Sequence, residues 1–455
     1  MRDSKSSASL FTKYNTRVPR YTSYPSVPHW NKEVPTQDQW VEILKKNYSP
    51  SDGLSLYIHL PFCEALCTYC GCNKRITKNH AVESPYIDSV IKEWEIYLSE
   101  FESPPVVKEI HLGGGTPTFF SPKQLDRLLS QIIQTSTLTK NADLSFEAHP
   151  SSTSIEHLSV LKELGFNRIS IGVQDVSPEI LVAINRHQTV DQINEVTQWA
   201  KQLDYESINY DIIYGLPFQT DDNIKQTVNL ISQNKPDRIA LYSYAHVPWK
   251  SMSQRAFTID DIPKGVEKAR LFQLSKTLLK TLGYKSVGMD HFCLESDALY
   301  QSFTKGNMHR NFMGYTPNYT KCSIALGASS ISDAWDIYVQ NEKKVETYQD
   351  IVNAGRLPIV KGHQLSQSES YMRRVFLDLM CRNKLDLKTN SNQFENIEPY
   401  LKNLSELSDD GLVELDKDEI KVTQKGQFFI RNICASIDPL CQKTENEKLQ
   451  FSSAI

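Results

Sequence analysis

From residue 54 onward, short β-rich runs alternate with longer helical periods, and that alternation restricts the chain to a few architectures. Leu54–Leu60 (LSLYIHL) reads as a strand, as do residues 106–112 (VVKEIHL), 144–148 (LSFEA), 168–173 (RISIGV), 207–213 (SINYDII) and 238–242 (RIALY). Helical periods fall between them at 85–101, 154–164, 189–203 and 222–233, and another opens at Ser121-Pro122. Ser121-Pro122 and Ser177-Pro178 each fit an N-cap followed by proline at the first helical position, where its missing N–H is no loss. About six strand–helix units predict a parallel sheet covered by helices, either an open doubly wound sheet or a full or partial (β/α) barrel. In both, function gathers at the carboxyl ends of the strands. The chemistry-bearing residues sit there: a cysteine cluster after the first strand, residues 113–116 after the second and Glu147 at the end of the third. Gln174, Asp211 and Ala245 occupy or follow the ends of the next three.

Composition narrows the setting. Of 455 residues, 40% are hydrophobic and 23% charged, ordinary values for a chain that folds. A formal charge of −4 leaves no chain-wide footprint for nucleic acid. No run of roughly 18 apolar residues occurs, so no membrane span is expected, and the polar, Ser-rich residues 1–10 lack the apolar stretch of a signal peptide. The nine cysteines are odd in number, and four crowd into residues 63–72. Cys293, Cys322, Cys381, Cys434 and Cys441 are scattered, which fits one metal site and buried thiols in a cytoplasmic protein better than a disulfide scaffold. Without a heptad or an evident apolar stripe, a monomer is expected.

Texture divides the chain into an N-terminal arm (1–50), a (β/α) barrel (51–285), a connecting and substrate-facing segment (286–365) and a mostly helical C-terminal domain (366–455). In the last, amphipathic helices at 371–381 and 397–407, a hairpin from 411–414 and 419–423, and a helix at 424–435 describe a winged-helix-like module. DNA binding does not follow, because residues 371–438 hold 10 Lys and Arg against 12 Asp and Glu.

Cys63, Cys67 and Cys70, spaced by four and three, can wrap one metal centre from a single loop. A [4Fe–4S] cube held by three thiolates keeps its fourth iron open to a further ligand. Zinc is the plainer alternative, with Cys72 as a possible fourth ligand, although structural zinc commonly takes two separated pairs and no second pair follows. Unliganded cysteines are the third.

C-x3-C-x2-C after a strand resembles the radical S-adenosylmethionine (SAM) superfamily. The extension to C-x2-C-G-C, within Y-I-H-L-P-F-C from Tyr57 to Cys63, is similar to the oxygen-independent coproporphyrinogen III oxidase family. Pro19-Arg-Tyr-Thr-Ser-Tyr-Pro25, Gly113-Gly-Gly-Thr-Pro-Thr118, Phe166-Asn-Arg, Gly172-Val-Gln-Asp175 and Asp211-Ile-Ile-Tyr-Gly-Leu-Pro217 match it too. So do Tyr244-Ala-His246, Gly288-Met-Asp-His-Phe292, His309-Arg-Asn-Phe312 and Ile430-Arg-Asn-Ile-Cys434, and the resemblance runs from about Tyr14 to Gln450-Phe451.

That resemblance implies one [4Fe–4S] cluster on Cys63, Cys67 and Cys70 and two SAM molecules. The first, on the open iron, would touch Tyr57, Gly114, Glu147 and Ile331. The second would touch Tyr69, Gly115, Thr116, Gln174, Arg186, Asp211 and Ala245. Cys72 would be needed for activity without being a ligand; its alternative is a thiol that shapes the loop. The residue types are apt in themselves: glycines admit close approach of backbone N–H groups, Glu147 can pair with an ammonium, and Arg186 with a carboxylate. A tight turn and barrel-interior ion pairs are the alternatives.

The implied reaction is oxidative decarboxylation of two propionates of coproporphyrinogen III to vinyl groups, with an external electron donor and acceptor. A substrate with four propionates calls for local positive charge, and Arg17, Arg20, His309 and Arg310 are candidates, with Asp290 and His291 as hydrogen-bonding partners. A haem-binding carrier of the same superfamily is the rival, but it generally lacks counterparts of Cys72 and of the Gly288 and His309 motifs. Three departures stand out: Tyr69 where the family often has Phe, Glu147-Ala-His149-Pro where Glu-Val-Asp-Pro is common, and Gly327-Ala-Ser-Ser-Ile331 for a more apolar run.

Overall fold

The computed structural model describes residues 9–249, 251–387, 398–443 and 451. Residues 1–8, 397 and 450, which fall within segments read above, lie outside them.

The six expected strands form: β1 (Leu54–Leu60), β2 (Val106–Gly114), β3 (Thr137–Ala148), β4 (Arg168–Gln174), β5 (Ser207–Tyr214) and β6 (Arg238–Ser243). They lie side by side in chain order and all run parallel, with Tyr57 opposite His111 and Ala148 opposite Ile171. A doubly wound sheet has to reverse its strand order at a switch point, whereas winding in one direction puts every crossover helix on one side. The order therefore settles the choice left open by the sequence in favour of a partial (β/α) barrel. β1 is buried at six of seven positions, as a strand covered on both faces must be.

Crossover helices Glu83–Leu98, Pro122–Gln134, Ile155–Glu163, Val190–Gln202 and Asp221–Asn234 follow β1 to β5. A further one, Gly265–Thr281, follows β6 and had no counterpart in the sequence reading. Ile58, Leu112, Phe146 and Ile171 from the strands share one core with Tyr86 and Trp94 from Glu83–Leu98. Ser121 and Ser177 do occupy cap positions ahead of proline, but neither side chain caps. The Ser121 hydroxyl donates to Glu83 Oε2 (2.9 Å) and that of Ser177 to Gln226 Oε1 (3.1 Å).

Residues 286–365 extend this sheet at both edges. β7 (Lys285–Val287) and β8 (His291–Cys293) add antiparallel beyond β6. β9 (Cys322–Leu326) pairs parallel with the free edge of β1, and β10 (Ile331–Asp333), β11 (Ile337–Asn341) and β12 (Ile359–Gln364) continue antiparallel. The result is a 12-stranded sheet in the order β12-β11-β10-β9-β1-β2-β3-β4-β5-β6-β8-β7.

The C-terminal region has the expected helix at Gln367–Arg382 and a hairpin Val413–Leu415/Glu419–Val422 joined by a third strand Lys384–Asp386. The helix expected over 397–407 is instead broken into Glu398–Leu401, a 3-10 turn Lys402–Leu404 and Ser405–Asp409. The one expected over 424–435 is a 3-10 turn Gly426–Phe429 followed by the helix Ile430–Ser436. Its core is shared with the N-terminal arm, where Leu10, Phe11, Tyr14, Tyr21 and Tyr24 pack on Phe376, Leu379 and Ile433. Polar bonds fix the join. Arg431 donates to the carbonyls of Pro19 (3.0 Å) and Val18 (2.5 Å), Asn432 to that of Tyr14 (2.9 Å), and both tyrosine hydroxyls of Tyr21 and Tyr24 reach the Asp438 carboxylate (3.0 Å each). Among the described residues no helix is long and apolar enough to cross a membrane.

Candidate functional site

The cysteine loop is closed at its base. Phe62–Cys63 pairs in parallel with Arg75–Ile76, and Thr77 N–H donates to the Cys63 carbonyl (2.9 Å), so residues 64–74 form a bounded loop beyond the end of β1. Two walls pin it. On one side Gly115 N–H donates to Leu60 O (2.9 Å) and Thr116 N–H to Phe62 O (3.0 Å). A Cβ on Gly115 would lie 2.6 Å from the Pro61 carbonyl carbon, so only glycine lets β2 pass this close. On the other side, Thr68 N–H donates to Ile184 O (2.9 Å) and Asn185 to Leu66 O (2.8 Å).

Donors and cations surround the thiols. Thr116 Oγ1 donates to Cys63 Sγ at 3.4 Å, and an Arg186 N–H reaches Cys67 Sγ at 3.7 Å and Tyr69 Oη at 3.0 Å. Lys74 Nζ donates to the carbonyls of Cys70 (3.1 Å) and Cys72 (3.3 Å). The hydrogen bond from Cys72 first, then the Lys74 ammonium against the opposing effect of burial, lower the Cys70 thiol below its ordinary value. Burial instead pushes Cys63 up to about 11.

Among the described residues no three His, Cys, Asp or Glu side chains converge as they would around a single ion. One zinc ion draws its sulfurs together at about 2.3 Å each from a common centre. In a [4Fe–4S] cube each thiolate takes a different iron, so the sulfurs stand further apart. Three thiols on one loop, with donors and two cations beside them, are a donor set suited to a [4Fe–4S] cluster.

A cavity of about 1300 Å³ opens over this loop at the carboxyl ends of the parallel strands. It gathers Cys63, Cys67, Cys70 and Cys72 with Tyr69, Gly114, Gly115, Thr116, Glu147, Gln174, Arg186, Asp211, Ala245 and Arg20. Glu147 is 43% exposed into it; one carboxylate oxygen accepts from Gly114 N–H (3.2 Å) and the other lies 3.7 Å from His111 Nε2. Asp211 accepts from Ser170 Oγ (2.9 Å) and Asn209 Nδ2 (3.0 Å), and burial, then the Glu147 charge, push it up to about 6. Arg186 is held by Gln188 Oε1 (2.7 Å) and by the Gly172 carbonyl. Gln174, at φ 66°, sits in the left-handed region, a costly conformation for a non-glycine residue.

Other expected residues are placed elsewhere. Tyr57 lies beneath the glycine run rather than on the cavity wall: a Cβ on Gly113 would come 2.9 Å from its ring, and its hydroxyl meets His59 Nδ1 at 3.0 Å. Ile331 starts β10, opposite Gln340, and does not line the cavity. Arg17 stands over the Trp249 ring at 5.3 Å. Asp290 and His291 bond each other (2.6 Å) behind Tyr242, whose ring lies 6.2 Å from that of His291 and does line the cavity. Arg310 is buried and donates to the Tyr21 carbonyl (2.6 Å), holding the backbone that presents Arg20 to the cavity. His309 lines a different cavity of about 370 Å³ with Tyr319, Trp335 and Arg374; burial first, then Arg373 and Arg382, lower it to about 3.

Two residues that lie within the matched motifs had no role assigned to them from the sequence. His59 links β1 to the exit of the cysteine loop through Nε2 and the Asn73 carbonyl (2.9 Å), which the alternation of β1 alone could have hinted at, since it points to the face of Tyr57. Phe451 lines the cavity and packs 5.7 Å from the His29 ring, a contact no local pattern announces. The departure at His149 is also explained. Its Nδ1 accepts from Ser151 N–H (3.2 Å) at the cap of the turn Pro150–Ser152, the bond an aspartate oxygen would accept there.

Residues 57–231 match the radical SAM superfamily and residues 365–429 the HemN C-terminal domain. Oxygen-independent coproporphyrinogen III oxidase of Pseudomonas aeruginosa is 36% identical over 95% of each chain, and that of Escherichia coli 34% identical over 98% of each. Among solved structures, coproporphyrinogen III oxidase (HemN) from Escherichia coli, described as a radical SAM enzyme, superimposes with a TM-score of 0.88 at 32% identity. That match covers 93% of this chain and 100% of that one.

Proposed function

The chain belongs to the oxygen-independent coproporphyrinogen III oxidase family of radical SAM enzymes, and from that premise we propose that it converts two propionate side chains of coproporphyrinogen III to vinyl groups, giving protoporphyrinogen IX for haem biosynthesis. Superfamily membership implies a [4Fe–4S] cluster and SAM. Cys63, Cys67 and Cys70 would hold the cluster, and with SAM bound the pair would supply reductive cleavage to methionine and a 5′-deoxyadenosyl radical able to take hydrogen from a propionate β-carbon. An external donor delivers the electron, and an external acceptor takes one from the substrate as carbon dioxide leaves.

The observation that carries this reading is the single cavity joining the three thiols to Glu147, Gln174, Arg186, Asp211 and Ala245. At about 1300 Å³ it exceeds the usual 300–1,000 Å³ of a small-ligand site, room for more than one ligand beside the thiols. Glu147 can take the ammonium of the first. Arg186, beside Tyr69 and Cys67, can take the carboxylate of the second. Arg20, held by the backbone bonds of Arg310 and Arg431 around it, offers a propionate contact at the rim. The chain's part is to orient ligands and exclude water while the cofactors carry the chemistry. No observation favours the haem-carrier reading: the relatives reported above, aligned almost end to end, are named oxidases.

The test is anaerobic. The reconstituted protein receives SAM, reductant, coproporphyrinogen III and cell extract as a source of acceptor, and the oxidised porphyrins are chromatographed. Protoporphyrin with 5′-deoxyadenosine, both lost in Cys63→Ala, is expected. Deoxyadenosine with unaltered coproporphyrin at saturating extract would reject the substrate.

A further inference from the structure

We propose that Gln254 and Lys268 are positioning residues that aim the Ala245 amide N–H at the second SAM, and that Ser253 ties this loop to the cysteine loop. The inference rests on the two-SAM reading above.

The segment 244–249 after β6 has no regular structure of its own, yet two buried polar side chains, Gln254 and Lys268, converge on it. Gln254 is 2% exposed and comes from the turn Met252–Ala256. Its carboxamide bridges the loop: Oε1 accepts from Val247 N–H (2.5 Å) while Nε2 donates to the Ala245 carbonyl (3.1 Å). Lys268, buried in helix Gly265–Thr281, donates to the Tyr244 carbonyl (2.7 Å), and its methylenes lie over Gly215, where a Cβ would come within 2.7 Å. Tyr244 N–H in turn donates to Tyr214 O (2.9 Å).

These bonds fix the peptide planes on both sides of Ala245. The carbonyl of Tyr244 and the N–H of Ala245 share one trans peptide, so they point in opposite directions. With the carbonyl held back to Lys268, the N–H faces the other way, and Ala245 lines the cavity. Among the described residues that N–H has no partner, so it is available to a hydrogen-bond acceptor such as a purine nitrogen. On the same turn, Ser253 Oγ donates to the carbonyl of Thr68 (3.3 Å), between Cys67 and the ring of Tyr69. One short turn thus holds two ligand-bearing loops in register, which is what a preorganised site needs from its supporting residues.

The experiment uses reconstituted holoenzyme. Equilibrium dialysis with radiolabelled SAM counts both sites, and the electron paramagnetic resonance spectrum of the reduced cluster reports separately on SAM at the open iron. In Gln254→Met one site is expected to weaken by about tenfold or more, because two buried bonds go, while the spectral response saturates as in the wild type. Gln254→Glu keeps the Val247 bond and loses the donor to Ala245, so roughly threefold weakening of that same site is expected. It carries the test if the methionine variant does not fold. Two sites of wild-type affinity in either folded variant would overturn the proposal. A wild-type protein that binds a single SAM would reject the two-SAM reading, and this inference with it.

Discussion

Tyr86→Phe probes the brace behind the cysteine loop. The Tyr86 hydroxyl is fully buried, donates to the His59 carbonyl (2.8 Å) and accepts from Ala328 N–H (2.9 Å). It therefore couples the end of β1, four residues before Cys63, to the turn that leads into β10. Phenylalanine keeps the ring and its packing against Phe62 and Phe120, so no cavity forms beyond the missing oxygen. What remains is a buried N–H without its acceptor and a carbonyl short of one donor, at about 1–3 kcal/mol for such groups, or roughly 2–3 kcal/mol together. With an unfolding entropy of about 2.1 cal/mol/K per residue, a chain of 455 residues loses ~1 kcal/mol per degree at its midpoint. Calorimetry on the anaerobic holoenzyme should then show a drop in Tm of about 2–3 °C. Iron release to a chelator should quicken alongside it, because His59 also holds the loop exit at Asn73. An unchanged Tm together with unchanged iron release would refute the brace.

Glu93 should give a pH signature: it accepts from Gly327 N–H (2.8 Å), Tyr348 Oη (2.6 Å) and Asn341 Nδ2 (2.6 Å), yet burial outweighs these donors and pushes it from 4.5 up to about 7. A raised carboxyl favours folding while protonated, so its contribution is complete below pH 4.5 and fades as pH rises to about 7; the stability difference between wild type and Glu93→Gln should shift by roughly 3 kcal/mol across that window and not above it, as denaturant titrations will show. His149→Asp should leave stability within about 0.5 kcal/mol, since its oxygen can accept from Ser151 N–H, whereas His149→Ala should lose about 1 kcal/mol; equal losses would reject the capping role. Cys72 is a free, exposed thiol hydrogen-bonded to Cys70, and Cys72→Ala should keep its iron and sulfide content while vinyl formation falls roughly a hundredfold; loss of the cluster would instead make Cys72 a ligand.

What the sequence made legible follows from how local each signal is. β1 to β6 and their helices showed themselves because short β-rich runs, such as Leu54, Leu56, Ile58 and Leu60 at alternate positions of β1, stand between longer helical periods, and because the helices at Ile155 and Val190 open on capping boxes. The cysteine spacing and the glycine run were equally local. β7 to β12 are three to six residues long and derive their pairing from the edges of a sheet built elsewhere, so nothing in their own composition marks them. Gly265–Thr281 was missed although long; it carries Lys268 on its buried side, a residue type that disguises an inward face. For the site, the ends of the strands bring Glu147, Gln174, Asp211 and Ala245 to one cavity. The same logic could not distinguish Arg20, which faces that cavity, from Arg310 behind it or His309 in another. Charge in a motif says that a cation is needed, while which backbone it must hold is decided by contacts hundreds of residues apart, as between Arg431 and Pro19.

The most direct test of the central claim follows one hydrogen atom. Coproporphyrinogen III deuterated at the propionate β-carbons is turned over anaerobically, and 5′-deoxyadenosine is analysed by mass spectrometry. Deuterium appearing in 5′-deoxyadenosine in step with each vinyl group formed is the expected result. Vinyl groups formed while 5′-deoxyadenosine stays unlabelled would contradict hydrogen abstraction in the cavity above Cys63, Cys67 and Cys70.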